Sequence, residues 1–230
     1  LSQGDIAQYA GMSQDIKETR EHSGEDPQWT GSMFSGMPAY LIDVEYPEQY
    51  VKQTASPIIK AIGSPANMTL WAMMLMMVAV VLMGVNPWIG IVAGLAYGLS
   101  TYFFLIIPAG HITKAMALGF LAPVIGGFYA IFRKQYWLGA PLMVLYGILS
   151  ITLHPQMTYY VFMLIGIMAC AELYIHIKDK AWKDLGISVG VVALCLLLIV
   201  GTKLSWLEMN QNYLKETMRG GHSELTRSGD

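Results

Sequence analysis

Charged residues are missing from the segment between Ala61 and Thr113, which contains no Asp, Glu, Lys or Arg. As one helix this segment would extend about 80 Å, whereas the hydrocarbon core of a bilayer is about 30 Å thick. The segment must therefore fold back, and Asn86-Pro87 marks the turn, because asparagine favours turns and proline ends helices. The lack of charge predicts two membrane spans rather than one soluble helix.

Residues 115–132, 135–171 and 185–202 also lack charged side chains. The middle stretch is too long for one crossing and is interrupted at His154-Pro155. Backbone groups in lipid must form hydrogen bonds internally, so helices are expected throughout. The sequence predicts an all-α polytopic membrane protein with six transmembrane helices, at about 68–85, 89–107, 115–132, 136–153, 157–175 and 185–204.

The predicted spans divide the chain into three parts. Residues 1–66 are a polar first loop with short helices, residues 67–205 form the helical bundle, and residues 206–230 begin a further loop. Within the first loop, residues 47–60 are predicted to form a short helix along the membrane surface. The chain begins with Leu1 and lacks a signal peptide, so we expect a segment of a longer protein with at least one span upstream.

Basic residues in the short loops predict the orientation. Loop 133–135 carries an arginine and a lysine, and loop 176–184 carries three lysines, whereas loops 108–114 and 153–156 carry one lysine between them. Under the positive-inside rule the two basic loops lie in the cytoplasm. The first loop and the C-terminal residues are then extracytoplasmic.

Composition also limits the partners. The lipid bilayer is the first expected partner, and nucleic acid is not expected, because the net charge is −2 and no basic stripe is present. The two cysteines, Cys170 and Cys195, fall inside predicted spans, where we expect small buried apolar residues and neither a disulfide nor a metal pair. The histidines of the outer side lack metal-ligand spacing, so no metal site is predicted.

Polar residues of the outer side are the candidate functional residues. Asp5 opens a helical segment, where a carboxylate either stabilises the helix end or takes part in chemistry. The other candidates are His111, Lys114, His154, Gln156, Arg219 and His222. Each has a structural alternative. Lys114 can be an interfacial lysine that extends toward water, and His154 a hydrogen-bonded turn residue. Arg219 and His222 can belong to a solvated loop.

Several motifs resemble those of one family of bacterial membrane proteins. They are GDIAQY at 4–9, SGEDPQWT at 23–30, MFSGMPAY at 33–40, Gly110-His111 with Lys114, and HPQMTYY at 154–160. On these residues the chain resembles the N-terminal portion of the YfhO-like bacterial integral membrane proteins. That family in turn resembles the GT-C glycosyltransferases. The resemblance implies a GT-C-like fold in the bacterial cytoplasmic (inner) membrane, with the active face outside.

The same resemblance implies a function and roles for the candidate residues. Enzymes of the GT-C type transfer a sugar from a polyprenyl-phosphate carrier, and a glycan or lipid of the envelope is the expected acceptor. Asp5 matches the position of an aspartate that serves there as catalytic base or as a carboxylate that orients the acceptor. The residues expected to bind the carrier or the substrate are His111, Lys114, His154, Gln156, Arg219 and His222. No cofactor is expected, and the resemblance does not decide whether a divalent cation binds.

Two other classes of protein also fit the sequence. A transporter or flippase would place ionisable residues or broken helices near mid-membrane, whereas the predicted spans are nearly free of charge and the polar groups gather at one surface. A non-catalytic envelope assembly protein would show the same surface without chemistry.

Overall fold

The structure is a computed structural model that describes residues 4–43, 49–215 and 217. One short antiparallel hairpin, β1 (Trp29–Thr30) with β2 (Met37–Pro38), accompanies the helices. The described helices are α1 (Gly4–Met12), α2 (Gln14–Ser23), α3 (Tyr50–Lys60), α4 (Ala66–Leu82), α5 (Pro87–Gly98), α6 (Thr101–Ala109), α7 (Ile112–Phe132), α8 (Tyr136–Leu153), α9 (Pro155–Lys178), α10 (Trp182–Gly201) and α11 (Leu204–Lys215).

Four of these helices, α7, α8, α9 and α10, are long and apolar enough to cross a membrane. Together α5 and α6 would make a fifth span, but they are bent by 41° at the break between them. Helix α4 is apolar but has only 17 residues. The all-α prediction is confirmed, and the four long helices indicate a multi-pass membrane protein. The number of six spans stays a prediction.

Helices overlap every predicted span, with two differences. The region 89–107 contains two helices instead of one, because α5 ends at Gly98 and α6 begins after Ser100. The helix of the last predicted span, α10, ends at Gly201, so Lys203 lies outside it rather than inside a span that reaches 204. Helix α11 then occupies the start of the segment that was predicted as a further loop.

Helix α7 lies at the centre of the bundle and packs against α4, α8, α9 and α10. One apolar cluster includes Phe128 of α7. A second includes Phe120, about two turns earlier in α7. Close approach depends on glycine, because a Cβ added to Gly127 would lie 2.6 Å from the carbonyl oxygen of Gly139 in α8. The interior is therefore built around one buried helix.

Large apolar side chains cover the outward faces of α9 and α10. Ile167 is 70% exposed and Leu197 is 71% exposed. Such faces are suited to contact with lipid rather than with water. Cys195 is buried but Cys170 is exposed. The expectation that both cysteines are buried is therefore wrong for Cys170, because α9 presents that residue away from the bundle.

Hydrogen bonds connect α2 to the hairpin and connect the N-terminal residues 4–43 to α11. Asp15 Oδ2 accepts a hydrogen bond of 2.7 Å from Thr30 Oγ1, which ties α2 to β1. The Tyr40 hydroxyl donates to the carbonyl oxygen of Met209 at 3.4 Å, which ties this region to α11. These contacts connect α2, the hairpin and α11.

Candidate functional site

Asp5 and His111 form the centre of the candidate site. Asp5 Oδ2 lies 3.0 Å from His111 Nδ1, and the two side chains are 52% and 50% exposed. Asp5 lies in the first turn of α1, where the helix dipole also favours a negative charge. The pair is therefore held at a surface that a second molecule can reach.

His111 is positioned by the tight turn between α6 and α7. Gly110 adopts φ of 99°, a left-handed conformation that suits glycine, and ends α6. The N–H of His111 then donates to the carbonyl oxygen of Ile106 at 3.0 Å. The His111 side chain makes no capping hydrogen bond to α7 and instead contacts Asp5. The turn thus directs the imidazole toward the carboxylate.

Lys114 lies in the first turn of α7. Its Nζ is 5.4 Å from the centre of the Tyr102 ring, a distance typical of a cation–π interaction. The side chain is half-buried. The aromatic ring of α6 therefore holds a positive charge close to the end of α7 that carries His111.

His154 lies between α8 and α9, at the same end of the bundle. Its Nδ1 accepts a hydrogen bond of 3.4 Å from the N–H of Met157 and so caps α9. Burial lowers the pKa of His154, and the nearby Lys114 and His111 side chains lower it further. The neutral imidazole is therefore favoured, and His154 is electrostatically coupled to the other two residues.

Of the remaining candidates, Gln156 lies among the described residues and is not brought to this site. Gln156 Nε2 donates to the hydroxyl of Tyr160, one turn along α9, at 2.7 Å. Within the described part of the chain no hydrogen bond or ion pair joins Gln156 to Asp5. Arg219 and His222 lie outside the described residues.

The arrangement of Asp5 and His111 offers a base in two ways. The carboxylate can accept a proton directly. Alternatively, the carboxylate, which lies 3.0 Å from His111 Nδ1, orients the imidazole, whose Nε2 then accepts the proton. In both cases Lys114 can bind an anion as a point charge.

A cavity that the sequence does not predict lies beside this site. Its volume is about 460 Å³, and it is bounded by α3 and by the neighbouring ends of α4, α7 and α8. The α3 residues Lys52, Ser56 and Lys60 line it, as does Asn67 of α4. Lys52, Ser56 and Lys60 are spaced by four residues, and residues i and i+4 share a helix face. This spacing is the sequence feature that indicates a polar face on α3.

A second polar cluster lies at the opposite end of the bundle. Arg133 Nη2 is 3.5 Å from Glu172 Oε1, and Glu172 and His176 are both buried. His176 Nδ1 lies 2.8 Å from the carbonyl oxygen of Glu172, within the same helix. Lys134 and Asp184 add an ion pair of 2.8 Å. These contacts join the end of α7 to α9 and α10.

Comparison with known proteins found no matching family model, no matching curated protein and no matching solved structure. The relation to the YfhO-like and GT-C families therefore stays a prediction. Across residues 4–43 and 49–215, no group of three or more His, Cys, Asp or Glu side chains is placed to hold a metal ion.

Proposed function

We propose that the protein is a membrane glycosyltransferase of the GT-C type. It transfers a sugar from a polyprenyl-phosphate carrier to an envelope glycan or lipid on the outer face of the bacterial cytoplasmic membrane. The observation that carries this proposal is the contact of 3.0 Å between Asp5 Oδ2 and His111 Nδ1, at the end of the bundle where Lys114 also lies. A proton acceptor and a cation are the two groups that such a transfer requires.

The proposed reaction is a single displacement with inversion. An acceptor hydroxyl oxygen forms a bond to the anomeric carbon of the sugar while the bond from that carbon to the carrier phosphate oxygen breaks. The acceptor proton passes to Asp5, either directly or through His111. The phosphate leaves with its negative charge, which Lys114 stabilises.

The position of ionisable residues in α7 to α10 supports an enzyme over a transporter, whereas the bend between α5 and α6 is a feature that transporters also have. In α7 to α10, every Asp, Glu, Lys, Arg and His lies within two turns of a helix end. The deepest is Glu172, which is near the end of α9 and paired with Arg133. Transporters instead place such groups near the middle of the membrane, where they bind substrate or coupling ions.

Consumption of the carrier-linked sugar is the experiment that tests this proposal. Membranes that contain the overproduced chain are mixed with a panel of polyprenyl-phosphate-linked sugars, and the lipids are followed by mass spectrometry. At least one sugar should be lost faster than in membranes without the chain, with release of an equal amount of polyprenyl phosphate. Loss at the background rate across the whole panel would contradict the proposal.

A further inference from the structure

His176 is a buried histidine with one ring nitrogen that makes no hydrogen bond. It is 8% exposed and lies in the last turn of α9. Its Nδ1 lies 2.8 Å from the carbonyl oxygen of Glu172, and because a carbonyl oxygen only accepts, Nδ1 carries a hydrogen. Among the described residues, the side-chain atoms that are both fully enclosed and without a hydrogen bond are Asn67 Oδ1 and Glu172 Oε2. Nε2 of His176 therefore has no partner in this part of the chain, yet it is not enclosed.

The imidazole borders a pocket of about 310 Å³ where α7 and α9 end and α10 begins. Helices α7 and α9 each end in a Schellman turn, in which Lys134 and Lys180 adopt positive φ. Arg133 and Asp179 are the C-cap residues immediately before these lysines, and both line the pocket. The two turns thus place a positive and a negative side chain at the same pocket.

Both of these C-cap side chains have capacity for a ligand. Arg133 stacks on the ring of Tyr129, and its Nη2 contacts the hydroxyl of Tyr129 at 3.0 Å and Oε1 of Glu172 at 3.5 Å. Within residues 4–43 and 49–215, no acceptor contacts Nε or Nη1 of Arg133, and no donor contacts the carboxylate of Asp179. The pocket therefore offers a fixed cation and a free anion.

The pocket favours a ligand that carries both charges. Two basic and two acidic residues line it, so a ligand with a single charge would leave one sign unmatched. In the neutral imidazole with hydrogen on Nδ1, Nε2 only accepts, so the positive group of the ligand must bear an N–H. A primary ammonium beside Asp179 and His176, with a phosphate beside Arg133, meets these requirements.

The surroundings of the pocket indicate that this headgroup comes from the bilayer. Phe132 and Ile175 also line the pocket, and Ile175 is 40% exposed on α9. Large apolar side chains cover the outward faces of α9 and α10. Trp182, an exposed aromatic residue of the kind enriched at membrane–water boundaries, begins α10 next to the pocket. An acyl chain can therefore leave the pocket over an apolar face.

We propose that this pocket binds phosphatidylethanolamine, a glycerophospholipid with a primary ammonium in its headgroup. The ammonium donates to Nε2 of His176 and to the carboxylate of Asp179, and the phosphate accepts from Arg133. The acyl chains follow α9 and α10 into the bilayer. The site lies at the opposite end of the bundle from Asp5, so it does not depend on the proposed transfer reaction.

Native mass spectrometry of the purified chain in detergent tests this site. Dissociation constants are measured for phosphatidylethanolamine, phosphatidylcholine and phosphatidylglycerol with identical acyl chains, and phosphatidylethanolamine should bind most tightly. Phosphatidylcholine keeps both charges but has no N–H, so it should bind about tenfold more weakly, the size of one hydrogen bond to a charged group. Equal affinity for these two lipids, or tighter binding of phosphatidylglycerol, would overturn the proposal.

A competition experiment tests whether the ligand is a lipid. Glycerophosphoethanolamine has the same headgroup without acyl chains, and it is added in large excess to the complex with phosphatidylethanolamine. The lipid should stay bound, because the apolar faces of α9 and α10 contribute to its affinity. Displacement at the concentration that matches the lipid would assign the pocket to a soluble ligand and overturn the proposal.

Two variants and a control assign the contacts. Asp179→Asn changes an exposed side chain and should weaken the two lipids that carry a cation about threefold to tenfold, without weakening phosphatidylglycerol. His176→Asn keeps an N–H for the carbonyl oxygen of Glu172 but lacks the acceptor at Nε2. It should lower the affinity for phosphatidylethanolamine to that for phosphatidylcholine. Glu21→Gln, which neutralises an exposed carboxylate of α2, should change neither.

Two results with these variants would contradict the assignment. The first is unchanged affinity for phosphatidylethanolamine in Asp179→Asn. The second is an equal loss of phosphatidylethanolamine and phosphatidylcholine in His176→Asn, which would show that the imidazole only packs. If His176→Asn does not fold, Asp179→Asn and the comparison of lipids on the unmodified chain still decide the proposal.

Discussion

Asp5→Asn is expected to lower the rate of sugar transfer by about 10²–10⁴-fold, because asparagine cannot accept the proton and cannot orient His111 as a carboxylate does. The side chain keeps its shape and can still cap a helix. The interaction with the helix dipole, about 0.3–1 kcal/mol at an exposed position, and the charge of the exposed contact with His111 are lost, and both are small. Expression and thermal stability should therefore stay close to those of the unmodified chain.

Glu21→Gln is the matched control for this variant. Glu21 is an exposed carboxylate of α2, in the same N-terminal region, and the proposed reaction does not use it. The initial rate of carrier-linked sugar consumption should be unchanged in Glu21→Gln. Full activity in Asp5→Asn would show instead that Asp5 only stabilises the start of α1, which is the structural alternative that the sequence leaves open.

The largest structural effect is expected from Gly127→Val. The added Cβ would lie 2.6 Å from the carbonyl oxygen of Gly139 and 3.1 Å from the backbone nitrogen of Met143. Backbone atoms of α8 cannot rotate away as a side chain can, so α7 and α8 must separate. Overpacking of this kind costs about 1–3 kcal/mol or more. The midpoint temperature of thermal unfolding in detergent should therefore be lower than that of the unmodified chain.

Gly166→Val makes the same chemical change on α9 and serves as the control. A Cβ at Gly166 would meet no atom within 4 Å, and the position is exposed. Its effect on stability should stay within about 0.5 kcal/mol, as for other surface substitutions. Equal thermal midpoints for the two variants would contradict the close packing of α7 on α8.

The helices of the bundle were predictable because lipid imposes a simple requirement. Uncharged runs of this length must form helices, and charged or proline-containing segments such as His154-Pro155 mark their ends. The bend after Gly98 was missed, since neither a charge nor a proline precedes it. The outward position of Cys170 was also missed, because periodicity is weak in a helix that is apolar on all sides.

The candidate site was predictable only in part. Charge counts in the loops predict that Asp5 and His111 lie on one side of the membrane. Their contact also depends on the turn at Gly110 and on the tertiary contacts of residues 4–43, which the charge counts do not predict. The pocket beside His176 depends on how the ends of α7, α9 and α10 meet, which no local pattern in the sequence predicts.

The central claim is that the site of Asp5 and His111 faces away from the cytoplasm, and cysteine labelling tests it most directly. In a chain that lacks Cys170 and Cys195, single cysteines are introduced as Glu21→Cys and Lys178→Cys, both at exposed positions. The cells are intact except for a permeabilised outer membrane and receive an impermeant maleimide. We predict labelling of Glu21→Cys alone, with Lys178→Cys labelled only after the cells are broken. Labelling of Lys178→Cys in intact cells, with Glu21→Cys protected, would contradict the account.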